Sequence, residues 1–151
     1  MCSNAFKGCY SLTEIITNHI GTIDSNAFEG CTSLETIDVD DINIIHSNAF
    51  DGCSSLKRIY AKIWEIGSYS FRNCRSLEIV IIHDYKLNSI EEGVFEGCSS
   101  LKEIKILFHD FVGPMKQIKK KAFKGCSSLI NIPASCDVEI IEESAFENCL
   151  K

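Results

Sequence analysis

The residues with the greatest capacity for chemistry in this sequence are its nine cysteines, seven of which recur at a fixed place in a repeated motif. A cysteine can serve as a nucleophile, a metal ligand or half of a disulfide, and each role requires particular neighbours. No two cysteines form a Cys-x-x-Cys pair, and His19, His46, His83 and His109 follow no metal-binding spacing. The seven recurring cysteines are Cys9, Cys31, Cys53, Cys74, Cys98, Cys126 and Cys149.

The sequence carries no other pattern typical of catalysis. It has no glycine-rich phosphate loop, no Gly-x-Ser-x-Gly turn and no repeated pair of carboxylates. The net charge of −6 disfavours a general affinity for nucleic acid or anionic membranes. We therefore predict a protein that is not an enzyme and uses no cofactor or metal.

The cysteines belong to a motif of the form Ala-Phe-x-Gly-Cys-x-Ser-Leu that recurs along the whole chain. Successive Phe residues lie 22, 22, 21, 24, 28 and 23 positions apart, at Phe6, Phe28, Phe50, Phe71, Phe95, Phe123 and Phe146. A sustained period of this length is typical of a solenoid. The sequence predicts one solenoid domain over residues 1–151, with about six to seven repeats of 21–28 residues.

A solenoid stacks equivalent residues, so the seven cysteines should form one column. Neighbouring coils lie about 4.7–4.9 Å apart with parallel side chains, whereas a disulfide needs Cβ atoms roughly 3.5–4.5 Å apart that face one another. The number of these cysteines is also odd. A column of buried free thiols is favoured over a series of bridges. Cys2 and Cys136 lie outside the column.

Each repeat also carries apolar positions that predict a short strand. After the motif the chain reads Leu-x-x-Ile-x-apolar, as in Leu34, Ile37 and Val39, and an apolar pair such as Ile42 and Ile45 precedes the next Phe. Stacked copies of such a strand form a parallel sheet. Gly or Asn stands before every motif cysteine, where a left-handed residue would end a helical turn. Residues 25–28 and their equivalents are predicted to form that turn.

These residues give the pattern Ile-x-x-x-Ala-Phe-x-Gly-Cys-x-Ser-Leu-x-x-Ile-x-Ile, which closely resembles the BspA-type class of leucine-rich repeat proteins. The resemblance implies an α/β-type arc with a short-stranded parallel sheet on the concave side and short helical turns on the convex side. It also implies a surface protein that binds other proteins. The proline that usually follows the strand is mostly missing here, with only Pro133 close to that place.

The ends of the chain fall within repeats, and neither end reads as the polar cap that normally closes a solenoid. We interpret the chain as part of a longer array, and its uncapped ends predict self-association of the isolated chain. No apolar run reaches the length of a membrane span, and no leader is predicted. The compartment stays open: the cell surface if the full-length protein carries an export signal, the cytoplasm otherwise.

The repeats differ most in one inserted loop, residues 107–114, which carries Phe108, Phe111 and a Gly-Pro turn. Inserts on one edge of a repeat array often belong to its binding face. The loop is therefore a candidate binding element. The alternative is that Phe108 or Phe111 folds back onto the edge of the core.

The outward positions of the strands supply a second candidate site. On the predicted concave face, Tyr60, Ile79 and Ile81 should form an apolar centre. An apolar centre inside a charged rim is typical of protein interfaces, although exposed isoleucine also occurs on ordinary strand surfaces. The rim residues predicted for this site are Asp38, Arg58, Glu103 and Lys105.

The predicted function is protein binding through the concave face and the 107–114 loop, with a protein partner of unknown identity. A structural spacer in a longer protein is one alternative, and a cell-surface adhesin ectodomain is another. The later repeats also hold a group of lysines, including Lys116, Lys119 and Lys120, that could meet phosphate or an acidic partner. Because Glu139, Glu142 and Glu143 follow closely, a self-compensating solvated face is favoured for that group.

Overall fold

The structure is a computed structural model that describes residues 1–39, 41–84, 87–108, 115–131 and 138–149. These residues form a parallel-strand solenoid of leucine-rich repeat type, in which each complete coil contributes strand segments and a segment of consecutive turns. The strands are β1 (Glu14–Ile16), β2 (His19–Ile23), β3 (Thr36–Asp38), β4 (Asp41–Ile45), β5 (Arg58–Lys62), β6 (Glu65–Ile66), β7 (Ile79–Asp84), β8 (Ser89–Ile90), β9 (Glu103–Phe108), β10 (Gln117–Ile118) and β11 (Ile140–Ile141).

The Leu-x-x-Ile segments form one side of the solenoid, as the sequence predicts. Strand β1 pairs with β3, and β5 pairs with β7, which pairs with β9, all in parallel. The register joins equivalent residues, so that Tyr60 lies opposite Ile81 and Ile81 lies opposite Lys105. Between β3 and β5 there is no strand pairing among the described residues, although the Lys57 amide donates to the Glu35 carbonyl at 3.2 Å.

The apolar pairs that precede each Phe form a second side. Strand β2 pairs with β4 and β4 with β6, while β8 pairs with β10 and β10 with β11. Within the described ranges, β6 and β8 do not pair with each other. The connection from the strand Leu to the apolar pair lengthens here from 7 residues (Leu56 to Ile63) to 10 (Leu77 to Leu87). The interruption coincides with this longer connection, but the still longer connection before β10 leaves the pairing of β8 with β10 intact.

The prediction of helical turns is wrong, because the described residues contain no helix. The segment around each Phe is a series of β-turns that also bonds to the next coil. The Glu29 amide donates to the Asn26 carbonyl at 3.2 Å within the coil, and the Phe28 amide donates to the Ala49 carbonyl at 2.8 Å in the next coil. Every second amide of the segment thus donates its hydrogen bond to the next coil. A helix needs these bonds within one segment and cannot form.

Two left-handed residues flank each of the seven motif Phe residues and enforce this conformation. The residue two positions after Phe has φ of 60–77° and is Gly or Asn, as the sequence predicts. The residue two positions before Phe has φ of 56–61°, which was not predicted from the sequence. Left-handed φ is unfavourable for residues other than Gly, Asn and Asp. The second set comprises Asn4, Asn26, Asn48, Tyr69, Gly93, Lys121 and Ser144.

The core is a stack of like residues that runs through the repeats. Adjacent Phe rings lie 5.2–5.7 Å apart between centroids and are nearly parallel, with interplanar angles of 2–16°. The strand Leu and the paired aliphatic residues close the core from the other two sides, as Leu56, Ile63 and Ile66 do in one coil. Each such buried side chain contributes roughly 1.5–3 kcal/mol. The stack therefore carries much of the stability.

The predicted column of thiols is present, and each buried thiol has a hydrogen-bond partner that the sequence did not reveal. The Cys53 Sγ donates to the carbonyl of Phe28, the Phe of the preceding coil, at 3.1 Å. The Cys74 and Cys98 thiols do the same at 3.2 Å and 3.1 Å. A thiol thus fills a small apolar space and also satisfies a backbone carbonyl. The cysteines among the described residues are free.

Charged side chains on the turn segment pair between neighbouring coils. The residue that follows each Phe forms one column, where Lys7 contacts Glu29 at 2.9 Å and Lys124 contacts Glu147 at 3.0 Å. The residue after each strand Leu forms another column, where Lys57 contacts Glu35 at 2.6 Å. Exposed pairs add little stability individually. Opposite charges attract at these contacts, whereas Glu29 and Asp51 are like charges at adjacent places in the first column.

We expect Phe71→Ala to lower the free energy of unfolding by about 3–5 kcal/mol, because it removes a fully buried ring from the middle of the stack. Chemical denaturation measures the change. The same substitution at Phe6, whose side chain is 38% exposed, is the control and should cost much less. Equal midpoints for Phe71→Ala and the parent would contradict the role of the stack.

We expect Lys121→Asn to raise the free energy of unfolding by about 1 kcal/mol, because asparagine tolerates the left-handed conformation that Lys121 adopts at φ 56°. The reverse change at the equivalent place, Asn48→Lys, should lower it by a similar amount. Thermal and denaturant melts of both variants provide the measurement. The interpretation fails if the two substitutions shift stability in the same direction.

Stability should fall as the pH rises above about 9. Burial raises the pKa of the Cys74 and Cys98 thiols well above the ordinary value of 9.0. Above that pH the unfolded chain loses thiol protons that the folded chain retains, so the folded state becomes less favourable, by about 1.4 kcal/mol per pH unit for each such thiol. Below pH 8 the thiols contribute no pH dependence.

Denaturant midpoints between pH 7 and 10.5 test this expectation, with Cys74→Ala as the comparison. The variant should be less stable at every pH, because a buried thiol is removed, but its stability should decline with a shallower slope above pH 9. Identical slopes would show that the buried thiol of Cys74 does not couple to folding.

Candidate functional site

The outward residues of β1, β3, β5, β7 and β9 form a continuous surface that we call the strand face. Because side chains alternate along a strand, Ile59 and Ala61 point into the core while Tyr60 points outward and is 58% exposed. The strand register brings the predicted apolar centre together: Tyr60 lies beside Ile81, and Ile79 lies beside Arg58. The predicted rim residues Asp38, Arg58, Glu103 and Lys105 lie on the same face.

A depression of about 610 Å³ lies in the strand face where β3 and β5 do not pair. Its lining includes the buried Ile59 and the partly buried Ile37, together with Ile16, Tyr60 and Ile81. Thr36 on β3 is shorter than Glu14 and Arg58 at the equivalent places on the neighbouring strands, which leaves space above β3. Ile16 is 70% exposed, so the walls offer apolar surface to a partner.

The charged groups around this depression differ in how far they are already satisfied. Among the described residues, Asp38 and Arg58 line the depression and have no ion-pair partner. Glu103 and Lys105 lie on β9 beyond the depression and pair with each other at 3.2 Å. A partner could therefore complement Asp38 and Arg58 directly, whereas the Glu103–Lys105 pair must first be separated.

The ring of Tyr60 is held in place by a neighbour that the sequence analysis did not select. His83 on β7 packs edge-to-face on Tyr60, with ring centroids 5.0 Å apart and an interplanar angle of 70°. Such a contact favours one orientation of the Tyr60 ring. Lys62, the β5 residue opposite His83 in the register, contacts Asp41 at 3.1 Å.

The second predicted element, the 107–114 loop, falls mainly outside the described residues. Leu107 belongs to β9 and is 42% exposed, while Phe111 and the Gly-Pro turn lie outside the described residues. Phe108 is the last residue of β9, opposite Asp84 in the register. A binding role for this loop stays a prediction.

Three residues were missed by the site prediction. Ile16 occupies the same repeat position as Tyr60 and Ile81, so the strand period could have identified it. His83 follows Ile81 by two residues and shares its face for the same reason. Trp64 lies on the second side of the solenoid and is 43% exposed. As the only tryptophan in the chain it was a visible signal.

The lysine-rich later repeats are compensated by glutamates in the way that the sequence favours. Lys116 contacts Glu139 at 3.2 Å, and Lys120 contacts Glu143 at 2.7 Å. In the described part of the chain no three His, Cys, Asp or Glu residues cluster as metal ligands would. A helix with the length and apolar character of a membrane span is also not found in that part.

Solved structures of bacterial proteins share this fold. A leucine-rich repeat protein of T. pallidum is 26% identical with a TM-score of 0.77, and the match covers 97% of this chain and 68% of that chain. A leucine rich cell surface protein of Faecalibacterium prausnitzii is 32% identical, also with a TM-score of 0.77, and the match covers 97% and 39%. A leucine-rich repeat protein from Eubacterium ventriosum, 19% identical with a TM-score of 0.69, supports the fold alone.

This chain spans about two-thirds of the first of these proteins and about two-fifths of the second. No curated protein matches it in sequence. The family model described as a BspA type leucine rich repeat region, in 6 copies, matches residues 1–102 and 40–151 and so extends over the whole chain. The chain belongs to the BspA-type leucine-rich repeat family.

Proposed function

We propose that this chain is a protein-binding module whose partner contacts the strand face at the depression between β3 and β5. The observation that carries the proposal is the juxtaposition of exposed Ile16, Tyr60 and Ile79 with the unpaired charges of Asp38 and Arg58. Interface centres are enriched in tyrosine and arginine, and contiguous exposed apolar surface often marks an interaction site.

The shape of the depression suggests what the partner presents. Its apolar lining accepts an apolar side chain, and Asp38 and Arg58 in the same lining carry opposite charges. A carboxylate on the partner can pair with Arg58, and a basic group can pair with Asp38. An apolar residue flanked by charges of both signs is therefore the complementary feature.

A location at the cell surface extends the same proposal. A structural neighbour that is 32% identical is described as a leucine rich cell surface protein. An array exposed there would present its strand face to proteins outside the cell, which is the adhesin alternative. A spacer, in contrast, has no need for unpaired charges around an apolar depression.

The double variant Tyr60→Glu/Ile81→Glu should weaken partner binding by about 30-fold or more, because it places two carboxylates in the apolar centre. Affinity capture from the source organism and its surroundings supplies the partner, and calorimetry on that purified partner supplies the affinity. Tyr60 is exposed and the changes lie on an outer surface, so the variant should fold.

A matched control carries the same two substitutions away from the depression. Tyr10 and Ile130 are 68% and 75% exposed, and neither lines the depression, so Tyr10→Glu/Ile130→Glu should keep the parent's affinity. Equal weakening by both double variants would point to a general charge effect. A partner that binds the Tyr60→Glu/Ile81→Glu variant as tightly as the parent would place the interface elsewhere.

A further inference from the structure

A single residue on the second side of the solenoid departs from the chemistry of its equivalents. Trp64 directly follows the first member of its apolar pair, and its indole is 43% exposed. The other coils place small or polar residues there. An indole presents a broad apolar face with one polar N–H, a combination used where one side of a ligand is apolar and the other is wet. The equivalent residues are Gly21, Asn43, Asn88, Lys116 and Glu139.

Trp64 borders a cleft that opens where the second side is interrupted. Strands β6 and β8 do not pair among the described residues, yet the adjoining turn segments stay bonded, with the Tyr69 amide donating to the Glu92 carbonyl at 2.9 Å. The opening has a volume of about 550 Å³, which is within the range of small-ligand sites. We call it the Trp64 cleft, and its polar lining residues are Ser47, Glu65, Ser68, Asn88, Ser89 and Glu91.

The lining favours a neutral ligand with many hydroxyl groups. Hydroxyl, amide and carboxylate side chains donate and accept hydrogen bonds at several points around one aromatic face. Glu91 is held by Lys119 at 2.7 Å and by Ser89 at 2.6 Å, and Glu65 has no ion-pair partner within the described residues. Two carboxylates in one cleft repel phosphorylated or acidic ligands.

An extended peptide fits the cleft less well. Peptides that extend a sheet rely on a row of backbone groups along its edge. Strands β6 and β8 are each two residues long and expose too few such groups for a ladder. The cleft also has little apolar lining besides Trp64, Ile66 and Leu87, of which the last two are buried in the core.

We propose that the Trp64 cleft binds a neutral oligosaccharide. The C–H face of one sugar ring packs on the indole, and its hydroxyl groups bond to Glu65, Ser68 and Asn88. A second depression of about 370 Å³ shares Asn88, Ser89 and Glu91 with the cleft and continues along Lys116 and Gln117. Because the two depressions are continuous, they can accommodate an oligosaccharide of more than one sugar ring. The proposal is independent of the strand face.

Because Trp64 is the only tryptophan, its fluorescence reports on the cleft directly. The intact chain is titrated with cello-, xylo-, manno- and malto-oligosaccharides, and any series that produces a saturable spectral shift is measured by calorimetry. We expect one series to bind with an affinity that increases with oligosaccharide length. In calorimetry, Trp64→Ala should weaken that binding by about tenfold or more, and Trp64→Phe should retain part of it.

Tyr60→Ala serves as the control, because it removes an exposed aromatic residue from the strand face and should leave oligosaccharide affinity unchanged. Circular dichroism melts verify that each variant folds. The proposal is overturned if no oligosaccharide series gives a saturable response, if folded Trp64→Ala binds like the parent, or if the cleft binds a pool of extended peptides instead. Loss of protein binding by strand-face variants would leave this result unaffected.

Discussion

The structure depends on one constraint: the coils stack on one another, so each core side chain of the repeat packs on its own equivalent. The Phe centroids are 5.2–5.7 Å apart along the core. A residue type can recur in such a column only if it packs well against itself or has a partner in the neighbouring coil. Phenylalanine satisfies the first condition through its flat ring. Cysteine satisfies the second by donating from Sγ to a Phe carbonyl, as Cys74 does to Phe50.

The same constraint explains the backbone and the surface. Turn amides bond alternately within a coil and to the next coil, which requires left-handed residues on both sides of each Phe and excludes a helix. Several charges in a column meet an opposite charge in the next coil, as Lys124 and Glu147 do. Both candidate sites lie where strand pairing is interrupted, the depression between β3 and β5 and the Trp64 cleft between β6 and β8.

The sequence predicted the fold more fully than the sites, for a physical reason. The repeat made the Phe stack, the thiol column and the outward positions of Tyr60, Ile79 and Ile81 readable, because equivalent residues share one environment. The helical turns were a wrong prediction, since a Gly or Asn after Phe also suits a series of β-turns. The three asparagines Asn4, Asn26 and Asn48 carried the missing signal, and Tyr69, Lys121 and Ser144 at the same position obscured it.

The amino-acid sequence by itself determined the repeat length, the identity of the core columns and which strand residues face outward, since these follow from periodicity and from the alternation of side chains along a strand. Only the tertiary structure decided where adjacent coils fail to pair. Pairing is a property of two neighbouring coils together, and no single repeat contains this information. The interruptions gather Ile16, Asp38 and Tyr60 around one depression and Trp64, Glu65 and Asn88 around another.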